Sequence, residues 1–247
     1  MRLFLTIFLI LLAGYCNAQK VVNAVWTNDT DIVTKVEEAK FLIIIKSYND
    51  TAFERLDYSF SGPLLKRKMY SDQNMKVLQG TSATYHPNGY LAEEGNYTNN
   101  KKDGNWHLFD DTSHAITEMK YHLDSLLSVT DLDSLYKEKE KLKVPEDTSG
   151  QVEASYSGGT AGIAKIISKN FTVPDRISSL GHGGTAKVRF IIDKTGKINH
   201  IDIMKSVEYS FDEECMRVVS LLKKWKPAND KGKFINAYRI QPITVNF

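Results

Sequence analysis

Apolar positions fall into two regimes along the chain. Residues 21–112 show no sustained 3.6-residue apolar period beyond a turn or two around Val33 and Ala39, and short β-rich runs dominate instead. Residues 41–45 form a continuous apolar run of strand length, and Thr51, Phe53, Leu56, Tyr58 and Phe60 mark a partner for it. A weak repeat follows. Tyr70 precedes Gly80 by ten residues and Tyr85 precedes Gly95 by ten, a period of 15 that continues through Tyr97, Gly104, Trp106 and Phe109. Asn88-Gly89 and Asp103-Gly104 supply the positive φ of two-residue hairpin turns, so the layout predicts an antiparallel meander with aromatics on one face.

The second regime is helical and then mixed. Leu123, Leu126 and Leu127, then Leu132, Leu135 and Tyr136, have helical spacing and run into the alternating charges of residues 137–141, the mark of a solvated helix face. Residues 145–159 turn polar and rich in Gly and Ser, which suits a boundary. Ile163, Ile166 and Ile167 predict a helix over 158–169, halted at Val173-Pro174. Val188, Phe190 and Ile192 alternate on one strand, Lys194-Thr195-Gly196 turns the chain, and residues 197–204 return. Ser210 at an N-cap with Glu213 three residues on predicts a helix start. Cys215, Val218, Val219 and Leu222 then form its apolar stripe. Residues 236–247 alternate again, and Pro242, which has no N–H for a ladder, places this last strand at a sheet edge or a bulge. The expected class is α+β: a signal segment 1–18, a β-rich module 19–112, a charged helical connector 113–155 and a mixed domain 156–247.

Composition narrows the function. Lys and Arg number 32 against 30 Asp and Glu, a net charge of +2 with no basic stripe, so nucleic acid is not an expected partner. Met1-Arg2, the apolar run 3–13 and Cys16-Asn17-Ala18 read as a secretory signal cleaved near Ala18, giving an exported protein of the periplasm or cell envelope. The alternative is an uncleaved segment anchored in the inner membrane. A lipidated Cys normally follows a small residue, whereas Tyr15 precedes Cys16. Cleavage leaves Cys215 alone and no intramolecular disulfide.

No enzymatic signature emerges. The six histidines, His86, His107, His114, His122, His182 and His200, form no close metal-binding pair. His182-Gly183-Gly184 lacks a G-x-S-x-G elbow, and the Gly-rich stretch 157–162 lacks the GK[ST] of a phosphate cradle. No catalytic residue, metal or cofactor is expected.

Two resemblances add to this reading. Residues 85–97 followed by 102–106 resemble MORN-type repeats, whose hairpins stack aromatics into a core. Residues 188–198, Met216-Arg217-Val218-Val219, Trp225-Lys226-Pro227-Ala228 and residues 240–247 resemble the C-terminal domain of TonB over about 156–247. That resemblance implies a helix-backed, three-stranded antiparallel sheet with an exposed last strand. An extended peptide, such as the TonB box of an outer-membrane receptor, would add to that strand by β-augmentation, linking the chain to transmembrane transport. Carried over by position, the peptide-binding residues are Tyr238, Arg239, Ile240, Gln241, Ile243 and Val245, with Asn170 where the family often has a Gln. The chain has only 6 Pro and no Pro-rich spacer, which favours docking over energy transduction. The alternative is a structural envelope protein whose MORN-like face binds a partner and whose TonB-like sheet pairs into a homodimer.

Overall fold

The structure, a computed structural model, describes residues 20–29, 32–33, 35–142 and 150–247. The expected signal segment with Cys16, and residues 143–149 of the connector, lie outside the described residues.

Among the described residues the first half is a nine-stranded antiparallel meander in chain order. Its strands are β1 (Lys20–Thr27), β2 (Phe41–Asn49), β3 (Ala52–Ser59), β4 (Leu64–Tyr70), β5 (Leu78–Tyr85), β6 (Leu91–Thr98), β7 (Lys101–Phe109), β8 (Ala115–His122) and β9 (Ser125–Asp131). β2 shows why such runs become strands. Leu42, Ile44 and Lys46 point to one face and are buried, while Phe41, Ile43 and Ile45 point to the other. The run 41–45 pairs with β3 as its spacing suggested, Ile44 opposite Leu56.

The aromatics expected on one face are largely packing. Trp106 is 2% exposed, lies edge-on to Tyr97 and Tyr121, and donates from Nε1 to the Asn96 carbonyl at 3.1 Å. Its ring needs Gly95 beneath it, because a Cβ there would sit 2.1 Å from a ring carbon. Lys102 Nζ caps the same ring at 3.9 Å.

Two sequence expectations are corrected in this half. Asp103-Gly104 is not a turn but a register shift inside β7; the chain reverses instead at Asn99 and Asn100, whose φ angles of 48° and 68° suit a two-residue turn. Leu123, Leu126 and Leu127 are not helical. They lie at the turn and on the second strand of the β8–β9 hairpin, because two adjacent leucines in a strand mimic helical spacing. The helix begins only at α1 (Leu132–Leu142), which reaches back to β8.

The second half follows through β10 (Gln151–Val152), β11 (Ser155–Tyr156), α2 (Gly159–Asn170), α3 (Asp175–Leu180), β12 (Gly184–Ile192), β13 (Ile198–Lys205), α4 (Tyr209–Ser220), β14 (Trp225–Lys226), β15 (Ala228–Asp230), β16 (Lys233–Ile235) and β17 (Ala237–Val245). β13, β12 and β17 form an antiparallel sheet in that order, with β12 central. Its inner face carries Val188, Phe190 and Ile192 against Phe211, Cys215, Val218 and Leu222 of α4 and its C-terminal flank, all at most 1% exposed. Ser210 is not the N-cap of α4. The Glu208 carboxylate holds that place, accepting the Ser210 N–H at 2.8 Å.

The two halves share one core. Leu42, Ile44, Leu56, Tyr58 and Leu64 of the meander belong to the same apolar cluster as Val188, Phe211 and Val218.

Candidate peptide-docking edge

β17 forms because its residues alternate and because β12 offers nine consecutive partners, from Gly184 opposite Val245 to Ile192 opposite Ala237. Among the described residues it has no second neighbour, so Pro242 costs no ladder bond on the outer side, and of the edge or bulge its sequence allowed the strand takes the edge. The pleat sorts the strand's side chains. Tyr238 and Ile240 point outward, 67% and 51% exposed, together with Pro242 and Thr244. Arg239 and Gln241 are half-buried on the inner side, and Ile243 and Val245 are core residues beneath the helices, 7% exposed each. The candidate set therefore divides: Tyr238 and Ile240 offer side chains to an incoming strand, while Ile243 and Val245 hold the strand in place.

Arg239 fixes the start of the strand. It donates to the Ala154 carbonyl at 2.6 Å and to Glu153 Oε2 at 2.8 Å, drawing residues 153–154 under the sheet. Beside it lies a groove of about 300 Å³ bounded by Val152, Ala154, Ala228, Ile235 and Ala237. Asn170 is not drawn to the strand. Its side chain donates to the Ile166 carbonyl at 2.7 Å, and its own carbonyl accepts from Arg217 at 2.5 Å, so its hydrogen bonds tie α2 to α4.

The opposite edge is occupied at its C-terminal end by the chain itself. Ser206, just beyond β13, donates its N–H to the Gly89 carbonyl at 2.9 Å, and Tyr90 forms a bridge with Lys205. The Ser206 hydroxyl accepts from the Leu64 N–H at 2.7 Å, and Tyr85 donates to the Ile203 carbonyl at 2.8 Å. Gly89 has φ +84°, and a Cβ there would lie 2.2 Å from the Ser206 carbonyl oxygen, so only glycine permits this approach.

Charges reinforce that closure. On the meander face turned to the C-terminal sheet, Glu54 pairs with Arg67, which faces Asp202 at 3.8 Å. Arg189 bridges Asp202 and Glu94 at 2.6 Å each. Burial pushes the Glu54 and Glu94 carboxyls up, but Arg67 with Lys46, and Arg189, outweigh it and hold both below the usual carboxylate range. Nearby, Asp212 accepts from the Val207 N–H at 3.0 Å, from Ser206 Oγ and from Tyr58 at 3.3 Å. Its burial is complete enough to raise it to about 8 despite these donors. Sequence reading missed this array, because Lys46 meets Glu213 across 167 residues and Arg189 meets Glu94 across 95. The visible signal was charge at core-facing strand positions such as Lys46 and Glu54.

Among the described residues no group of His, Cys, Asp or Glu is arranged to hold a metal ion, and no helix is long and apolar enough to cross a membrane. Neither a curated protein nor a solved structure matches the chain. Residues 169–247, which carry β12, β13, α4 and β17, match the family model described as Gram-negative bacterial TonB protein C-terminal. TonB family proteins interact with outer-membrane receptors and are non-enzymatic. The match supports a TonB-like protein of the cell envelope, linked to envelope transport.

Proposed function

We propose that the chain is an exported envelope protein, released by cleavage near Ala18, whose β17 accepts an extended peptide by β-augmentation. The TonB box of an outer-membrane receptor is the peptide of this kind that the family match favours. The reading rests on the unequal edges of one sheet: the C-terminal end of β13 is closed by Gly89 and Tyr90, whereas β17 has β12 alone among the described residues. An added strand satisfies the outer N–H and C=O groups of β17, which gives affinity, and its alternate side chains meet Tyr238 and Ile240, which gives selectivity. The meander, MORN-like in its Gly95–Trp106 packing, serves as the platform that blocks the wrong edge.

The test is calorimetric titration of the full chain with TonB-box peptides and with the same peptides N-methylated at alternate backbone amides. Methylation in the register that faces β17 should abolish binding, and methylation in the other register should leave it intact. Equal binding by both methylated peptides would rule out strand addition. A chain that is dimeric through β17, and that releases its partner copy on peptide addition, would assign the same edge to self-pairing in the resting state.

A further inference from the structure

β17 is bordered differently at its two ends. Ile243 and Val245 close the inner side of its later half, whereas at its start the inner side opens on the groove of about 300 Å³ beside Ala237 and Arg239. Three of the residues around that space are alanines, Ala154, Ala228 and Ala237, whose side chains end at a methyl. Paired backbone holds the walls. Gln151 and Val152 face Asp230 and Asn229, Ala228 faces Ile235, and Arg239 ties down residues 153–154. The groove is therefore built without a ligand, yet two of its apolar walls stand in water, Val152 at 61% and Ile235 at 41% exposed.

Its chemistry selects an uncharged occupant. At the rim Arg239 is already bonded to Glu153 and to the Ala154 carbonyl, and Asn229 Oδ1 accepts the Gly232 N–H at 2.8 Å. A charged group would have to break the Arg239–Glu153 pair to find a partner, and without one its burial is costly. An apolar group takes Val152 and Ile235 out of water and gains by it. A cavity of about 150 Å³ accepts a benzene ring, so this groove has room for the side chain of Leu, Met or Phe. Position supplies the occupant. A strand added to β17 sets the side chain opposite Ala237 on the same face as Ala237, which is the face on which the groove lies. A free apolar molecule would fill the space and leave the adjacent outer N–H and C=O groups of β17 unpaired. A residue of an added strand satisfies both.

We propose that this groove is the specificity pocket of the β17 edge, taking one large, uncharged apolar side chain from the incoming strand at the position opposite Ala237. The inference rests on the strand-addition reading and adds the chemistry of the peptide. One large apolar residue points inward, and its neighbours in the chain point outward with Tyr238 and Ile240.

The test is calorimetric titration of the full chain with TonB-box peptides in which each residue in turn is replaced by Ala or by Lys. One position should stand out: Ala there should weaken binding about tenfold or more, and Lys should abolish it. Ala237→Leu fills the groove from within, so against this variant the parent peptide and its Ala form at that position should bind equally. Ile235→Ser, a change at a partly exposed wall that leaves the fold intact, should weaken the parent peptide several-fold and leave the Ala form unchanged. A scan with no dominant position, or a dominant position whose effect is as steep in Ala237→Leu as in the unsubstituted chain, would overturn the pocket. Strand addition itself would still stand if binding kept its dependence on the register of N-methylation. Equal binding by both N-methylated peptides would overturn the two readings together.

Discussion

The two outer strands of the C-terminal sheet flank the same central strand, yet their surroundings differ. At the C-terminal end of β13 the meander supplies a carbonyl at Gly89, a bridge at Tyr90 and a hydroxyl at Tyr85, and partly buried ion pairs run alongside. Beyond β17 no strand follows among the described residues, and the outward side chains are an exposed tyrosine and isoleucine. Edge strands invite partners unless something covers them. Covering the end of one edge with the chain's own backbone favours strand addition at the other, so on the proposed reading the meander contributes to selectivity without touching the peptide.

The largest effect should come from reopening the closed edge. Gly89→Ala forces a Cβ into the Ser206 carbonyl at positive φ, and should cost about 3 kcal/mol in chemical denaturation. It should also loosen the meander from β13, seen as faster exchange at Ser206. Arg189→Ala removes the cation between Asp202 and Glu94 and leaves two partly buried carboxylates facing each other. Discounted for their partial exposure, the loss should be about 2 kcal/mol by the same measurement.

A pH series should sharpen the picture. Folding raises Asp212 from 3.8 to about 8, so across that window the folded chain holds a proton that the unfolded chain releases. Stability contributed by this group is therefore full at low pH and falls as pH rises toward about 8. Asp212→Asn should flatten that slope in thermal unfolding followed from pH 4.5 to 8. Glu54 and Glu94 act in the opposite sense and lower down. Their pairs stabilise above the ordinary carboxylate range and are lost as pH falls through their depressed values. The smallest stability effect belongs to the open edge: Tyr238→Ala or Ile240→Ala should shift unfolding by no more than about 0.5 kcal/mol. The same changes should weaken peptide binding measurably in titration.

Much of this fold was legible in the chain. The β12–β13 hairpin, α4 and β17 follow strict periodicities, with Val188, Phe190 and Ile192 on one face and Cys215, Val218 and Leu222 on one stripe. Pro242 limited β17 to a sheet edge or a bulge, and the sheet order shows the edge. What stayed hidden depends on distance or on local competition. Asn99 and Asn100 took the turn that Asp103-Gly104 advertised, because asparagine also accepts positive φ. Glu208 displaced Ser210 as the cap because its carboxylate also pairs with Arg176 at 2.5 Å. The closed edge was illegible, since nothing local in Asn88-Gly89 reveals that Ser206 will arrive against it. Six of the seven candidate peptide-binding residues share one strand, but the division between outward and core-facing members needed the sheet.

Residue-resolved hydrogen exchange on the full chain, with and without a bound TonB-box peptide, tests the central claim most directly. In the unbound chain, alternate amides of β17 should exchange rapidly while Ser206, bonded to Gly89, stays protected. Peptide addition should slow those β17 amides and leave the β13 side unchanged. Saturating peptide that left β17 exchange unaltered, or that protected the β13 side instead, would contradict the account.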